Sequence, residues 1–108
     1  MTQLNNADHI FVTRLGFTHH GIYCENGTVI HYTGDVSSKS NAAVKRTSLV
    51  EFLAGGQAQV LSYGICDPTD TVLARAQSRL GEKRYNLISN NCEHFARWCK
   101  TGKERSSQ

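Results

Sequence analysis

The sequence lacks the segments that would direct a protein into a membrane or out of the cell. Its opening residues, Met1 to Asn6, have neither the basic stretch nor the apolar core of a secretory signal. No apolar run approaches the roughly 20 residues that a membrane-spanning helix needs. The 108 residues also show no internal repeat and no linker, and 39% of them are apolar. We therefore expect a single soluble domain in the cytoplasm.

Motifs for cofactors, metals and nucleic acids are absent too. The four cysteines include no Cys-x-x-Cys pair, so a structural zinc site has little support, and reduced thiols are expected. Gly55-Gly56 lacks the Lys-Ser/Thr that follows in a phosphate-binding loop. The net charge of +3 is not gathered into one long block. We expect no cofactor, no metal and no nucleic-acid partner.

Residues that favour β structure dominate the first third of the chain. They predict strands over residues 8–14, 17–24 and 28–33. Glu25-Asn26-Gly27 joins the last two as a hairpin, because Gly27 can take the positive φ angle that such a turn requires. Residues 34–45 are polar and small, which is typical of a surface loop.

Short helices and extended segments make up the rest of the chain. Ser48-Leu49-Val50-Glu51 has the form of a capping box and predicts a helix that ends at Gly55-Gly56. Asp67-Pro68 opens a second helix, whose apolar stripe runs from Val72 to Leu80. A strand at 57–63, an extended segment at 85–88, a last helix over 92–100 and a disordered polar tail at 103–108 complete the prediction.

The last helix begins at a cysteine that follows two asparagines, either of which can cap it. Cys92 lies in the first turn, where free amides and the positive end of the helix dipole favour a thiolate. Phe95, Ala96 and Cys99 give the helix a buried side. Taken alone, Cys92 would be an ordinary core cysteine, since free cysteine is among the most buried residue types. The histidines upstream favour a catalytic thiol.

Three histidines lie on the predicted hairpin, and the strand register decides which of them share a face. In a three-residue loop, Cys24 pairs with Thr28, and Gly21 then lies opposite His31 with room for a substrate or another side chain. His19 shares that face, within roughly 7–8 Å of His31. A two-residue turn at Asn26-Gly27 would slip the register by one and bring His20 to the face of His31. We predict the first register.

A face carrying His19 and His31, packed against the helix that starts at Cys92, would supply a nucleophile, a base and a third polar group. The base takes the thiol proton, and the third group fixes the tautomer of the base. The same three residues are also the candidate ligands of a metal ion, but no compact ligand motif supports that alternative.

Three segments together resemble the lecithin:retinol acyltransferase-like family. They are Thr18-His19-His20-Gly21-Ile22-Tyr23, Val29-Ile30-His31-Tyr32 and Asn91-Cys92-Glu93-His94-Phe95. The resemblance extends from about Asp8 to Gly102, nearly the whole chain. It implies an α+β domain at residues 7–102 with a circularly permuted, papain-like (NlpC-type) fold, in which a small antiparallel sheet packs against about three helices.

The resemblance also implies the roles of the site residues. Cys92 is the nucleophile, His19 the general base and His31 the third member, with Gly21, Tyr23 and Asn91 as candidate substrate-binding residues. Family members take an acyl group from a phospholipid as a cysteine thioester and pass it to an alcohol, an amine or water. An aromatic residue usually stands where this chain has His20, so His20 is easily mistaken for the base, and its presence could also alter the site.

Three functions remain open from the sequence. The leading one is a thiol-dependent acyltransferase or phospholipase A-like hydrolase. Its expected partner is an acyl lipid or other small acyl donor, with peripheral contact with a membrane as an option. The sequence lacks the C-terminal hydrophobic anchor of the animal lipid-modifying members, and this argues against a membrane-resident substrate. The same residues would serve a cysteine peptidase or amidase, which needs a polar groove for an extended peptide. The third is a binding module with an idle site.

Overall fold

The computed structural model describes residues 3–33, 42–85 and 91–103. Within them lie five strands and three helices: β1 (His9–Arg14), β2 (Phe17–Cys24), β3 (Thr28–Tyr32), β4 (Val44–Ser48), α1 (Leu49–Leu53), β5 (Gln59–Val60), α2 (Thr69–Ser78) and α3 (Cys92–Thr101). The strands form one open antiparallel sheet in the order β4-β3-β2-β1-β5. This confirms the predicted α+β class. No helix in the described residues has the length and apolar character needed to cross a membrane.

The β2–β3 hairpin has the register predicted for a three-residue loop. Cys24 pairs with Thr28, and the N–H of Gly27 donates to the carbonyl of Cys24 over 2.9 Å. Gly27 has a φ of +84°, a conformation that suits glycine. The ladder between β2 and β3 ends at the pair of Ile22 with Ile30, whereas β2 stays paired with β1 as far as Phe17.

Alternation along the strands gives the sheet two covered faces. The α3 face carries Ile22, Ile30 and Tyr32 and packs against α2 and α3. The opposite α1 face carries Val12 and Val29 and packs against Phe52 of α1.

Side-chain and main-chain groups close the ends of the helices. The hydroxyl of Ser48 accepts the N–H of Glu51 over 3.1 Å, which is one of the two bonds of the predicted capping box. At the start of α3, the side chain of Asn91 accepts the N–H of His94 over 3.0 Å, and Nδ1 of His94 accepts the N–H of Asn91 over 3.4 Å. Gly102, with a φ of +77°, caps the end of α3, whose last residue, Thr101, lies one residue beyond the predicted helix. These caps fix the position of Cys92 in the first turn.

Several predicted boundaries are wrong. Residues 44–48 form β4, whereas the prediction assigns residues 44–45 to the end of a loop and no structure to residues 46–47. The strand predicted over 57–63 contains only Gln59–Val60. α2 ends at Ser78, which leaves Leu80 outside the helix and 42% exposed. The predictions for residues 34–41, 86–88 and 104–108 lie outside the described residues.

Candidate active site

His19 and His31 form a buried imidazole pair on the α1 face. Nε2 of His19 lies 2.9 Å from Nδ1 of His31, and the two rings meet edge to face. The ring of Phe52 covers both, with centroid distances of 5.1 Å to His19 and 5.0 Å to His31. The observed register thus brings together the two histidines that the sequence pairs.

His31 is held in its neutral form. Burial, followed by repulsion from His19, lowers the pKa of His31 to about 3. Its remaining ring nitrogen, Nε2, lies 2.9 Å from the hydroxyl of Thr47 on β4. A neutral imidazole held at both nitrogens can orient His19 without adding a charge next to it.

The thiol of Cys92 lies against the main chain of β2. The backbone N–H of His20 forms a hydrogen bond with the sulfur, and the N–H groups of Glu93 and of Cys92 itself also favour its ionised form. The N–H of Tyr23 donates to the carbonyl of Asp8, and the C=O of Tyr23 accepts the N–H of Ala7, so both groups point to the side of β2 on which β1 lies. Alternation therefore directs the N–H of His20 toward β3. Because the β2–β3 ladder has ended there, that N–H bonds to the sulfur instead of a strand.

The structure corrects the expected acidity of Cys92. Burial raises the pKa of the Cys92 thiol, and the N–H groups of His20, Glu93 and Cys92 offset that increase only in part. The prediction that the helix start favours a thiolate is therefore wrong in its net direction. The thiol is protonated near pH 7, so a nucleophilic role requires a base that removes its proton.

A second pair of imidazoles lies on the α3 face, and the sequence analysis misses it. Nδ1 of His20 lies 2.8 Å from Nε2 of His9, and Nδ1 of His9 lies 2.8 Å from the hydroxyl of Tyr63. Burial lowers the pKa of both histidines, that of His9 to about 3. On the outer side, Nε2 of His20 is 4.0 Å from the Glu93 carboxylate. The side chain of His20 therefore points away from the face of His19 and His31.

The three candidate substrate-binding residues, Gly21, Tyr23 and Asn91, are each engaged in packing or in capping a helix. A Cβ on Gly21 would lie 2.5 Å from Val29 and 3.1 Å from the ring of Phe52. The space that Gly21 leaves opposite His31 is therefore occupied by the side chains of Val29 and Phe52. Tyr23 is half-buried in the apolar cluster around α1. Asn91 caps α3.

The remaining cysteines and the metal alternative can also be compared with the structure. Cys24, Cys66 and Cys99 are best interpreted from the sequence as packing residues; Cys24 and Cys99 are indeed buried, whereas Cys66 is exposed, so that interpretation is wrong for Cys66. In the part of the chain that the structure describes, no group of three or more His, Cys, Asp or Glu side chains is placed to hold a metal ion.

Comparisons with known proteins agree with the motifs. The family described as lecithin retinol acyltransferase matches residues 2–105. The chain is 30% identical to human (Homo sapiens) phospholipase A and acyltransferase 4, over 94% of this chain and 73% of that protein. It is 31% identical to rat (Rattus norvegicus) lecithin retinol acyltransferase, over 94% of this chain and 56% of that protein. The chain therefore belongs to the lecithin retinol acyltransferase family.

Proposed function

We propose that this protein is a cysteine-dependent acyltransferase or phospholipase A-like hydrolase that acts on acyl lipids. One observation carries the proposal: the buried pair of His19 and His31 lies next to the position on β2 whose N–H bonds to the Cys92 thiol. Cys92 is the nucleophile, His19 the general base and His31 the group that orients the base. The names of the relatives, phospholipase A and acyltransferase, support a lipid ester as the acyl donor.

In the first half of the reaction, Nδ1 of His19 is the basic atom, because its Nε2 bonds to His31. Nδ1 takes the proton of the Cys92 thiol while the sulfur forms a bond to the ester carbonyl carbon. N–H groups at the start of α3 stabilise the oxyanion. The C–O bond then breaks, and the proton passes from Nδ1 to the leaving alcohol.

In the second half, the thioester is resolved at the same base. The acceptor, which is water, an alcohol or an amine, gives a proton to Nδ1 of His19 as it attacks the thioester carbonyl. The C–S bond breaks, and the sulfur of Cys92 recovers the proton. The high pKa of Cys92 makes this return favourable, because a buried thiolate is the costlier form.

We also propose that the fold is a circularly permuted papain-like fold. In papain-like enzymes the cysteine precedes the histidine in the chain, whereas here both histidines precede Cys92. A cysteine at the start of a helix that packs on an antiparallel sheet supports this relation. The domain bounds of 7–102, a cytoplasmic location and peripheral contact with a membrane belong to the same proposal.

Mass spectrometry after incubation with phosphatidylcholine tests the proposal. We expect a mass increase of one acyl group on Cys92, and none in a Cys92→Ser variant that keeps its fold. His19→Ala should prevent the adduct, and His31→Ala should lower its rate less. His20→Ala is the matched control on the other face of β2. Full loss in His20→Ala together with normal labelling in His19→Ala would contradict the assignment of the base.

The same measurement separates the alternatives. An adduct with a peptide-based thiol trap and none with any lipid would indicate a cysteine peptidase or amidase. A folded protein that reacts with neither would indicate a binding module.

A further inference from the structure

We infer that Thr47 is a positioning residue for the site, because its hydroxyl sets the proton positions on both His31 and His19. Thr47 lies on β4, and its hydroxyl contacts His31, which lies on the neighbouring strand β3. The kinetic part of this inference rests on the proposed function, whereas the proton positions can be measured without any substrate.

The first step is the direction of the hydrogen bond between Thr47 and His31. The hydroxyl oxygen of Thr47 lies 3.3 Å from the carbonyl oxygen of Ser48, which can only accept, and 2.9 Å from Nε2 of His31, which can donate or accept. A hydroxyl has one proton, so both contacts are hydrogen bonds only when Thr47 donates to Ser48 and accepts from His31. In that arrangement Nε2 of His31 carries the ring proton.

The second step carries this choice to His19. A neutral His31 with its proton on Nε2 has an unprotonated Nδ1, which can only accept. Nε2 of His19, 2.9 Å away, must then donate to it. In the neutral state His19 is left with an unprotonated Nδ1, which is the form that can take a proton from a thiol.

The reverse arrangement would be inactive. If Thr47 donated to Nε2 of His31, its hydrogen bond to Ser48 would be lost. His31 would then hold its proton on Nδ1 and donate to Nε2 of His19, which would place the His19 proton on Nδ1. The bond from Thr47 to a main-chain carbonyl thus selects the tautomer in which His19 can act as a base.

Two substitutions at Thr47 separate the hydroxyl from the shape of the side chain. Thr47→Val removes the hydroxyl at nearly constant volume, and Thr47→Ser keeps it. Thr13→Val, at an exposed position on β1 of the same sheet, is the matched control. Nitrogen-15 NMR of histidine-labelled, substrate-free protein reports the tautomer of each ring.

We expect Nε2–H tautomers at His19 and His31 in the wild type, in Thr47→Ser and in Thr13→Val, and a mixture of tautomers in Thr47→Val. The value of kcat for acyl transfer should fall about five- to tenfold in Thr47→Val, as the loss of one neutral hydrogen bond implies. KM should stay within about twofold, because tautomer choice affects the proton transfer and not substrate binding.

Three results would overturn the inference: an Nδ1–H tautomer at His31 in the wild type, unchanged tautomers or kcat in Thr47→Val, or an equal loss of kcat in Thr47→Ser. Failure of the proposed function has a different signature. Suppose that the tautomers respond to Thr47→Val as expected but that neither the wild type nor any variant forms an acyl adduct. The role of Thr47 in ordering the imidazoles is then supported, and the proposed enzymatic function is refuted.

Discussion

Acidification from pH 7 to pH 5 should strongly destabilise this fold, because the fold buries imidazoles in their neutral form. His9 is fully buried and His31 is 5% exposed. Burial is the main reason that the pKa of each falls from 6.5 to about 3. Burial also lowers the pKa of His20, so that residue contributes in the same direction.

The sign follows from the protons that each state binds. In the unfolded chain each imidazole has a pKa near 6.5 and takes up a proton as the pH falls below that value. The folded protein leaves His9 and His31 unprotonated until about pH 3. The unfolded state therefore binds more protons between these limits, and the free energy of unfolding decreases as the pH decreases.

The loss in the free energy of unfolding at pH 5 depends mainly on the pKa of each histidine in the unfolded chain. That pKa, about 6.5, lies about 1.5 units above pH 5, and each unit corresponds to about 1.4 kcal/mol, so each histidine contributes about 2 kcal/mol. His9 and His31 together then contribute about 4 kcal/mol. Since small domains have a total stability of about 5–15 kcal/mol, this loss would be a large fraction of the whole.

Urea unfolding at pH 7 and pH 5 measures the effect, and this window lies above the range in which most carboxylates titrate. His9→Asn removes one titrating group, so it should reduce the difference between the two pH values by about 2 kcal/mol, whatever its stability at pH 7. Equal stability at both pH values, or an undiminished difference in His9→Asn, would refute the reasoning.

Two further predictions test the packing around the site and the state of the thiol. Gly21→Ala should destabilise the fold by about 1–3 kcal/mol through overlap with Val29 and Phe52. Gly64→Ala, whose Cβ would meet nothing within 4 Å, should leave the midpoint of thermal unfolding nearly unchanged, so equal midpoints would contradict this account. At pH 7, iodoacetamide should modify the exposed Cys66 faster than Cys92, because burial raises the pKa of Cys92. Reaction of Cys92 should still accelerate above pH 9, and faster labelling of Cys92 than of Cys66 at pH 7 would show the opposite shift.

The hairpin and its histidine pair could be predicted from sequence because local chemistry determines them. Gly27 fixes the length of the turn, and the length of the turn fixes the register. Strict alternation along a strand then places His19 and His31 on one face. Each of these steps uses residues that are close in the chain.

β4 could not be predicted in the same way, because backbone hydrogen bonds to one neighbouring strand can stabilise an edge strand without a pattern of buried side chains. Its sequence, Val-Lys-Arg-Thr-Ser, buries only Val44. Backbone hydrogen bonds to β3 supply the rest of its stability, and they leave no pattern of apolar side chains. As a result, the sequence shows Thr47 as a residue near a loop, although its hydroxyl contacts the site.

The pKa of Cys92 could not be predicted from the sequence for a different reason. A helix N-terminus favours a nearby negative charge by only about 0.3–1 kcal/mol at typical positions, whereas desolvation can shift a pKa by several units. The position in the helix is visible in the sequence. The burial depends on how α3 packs on the sheet, and that packing brings together residues far apart in the chain.

The contact between β2 and Cys92 separates the roles of two adjacent histidines. The group of His20 that bonds to the sulfur is its backbone N–H, which any residue other than proline would supply. The side chain of His20 instead joins His9 and Tyr63 on the α3 face. A change confined to the His20 side chain thus leaves the contact to the sulfur in place, whereas a change at His19 removes an imidazole from the pair with His31. The different outcomes expected for His20→Ala and His19→Ala therefore follow from the alternation of β2 itself.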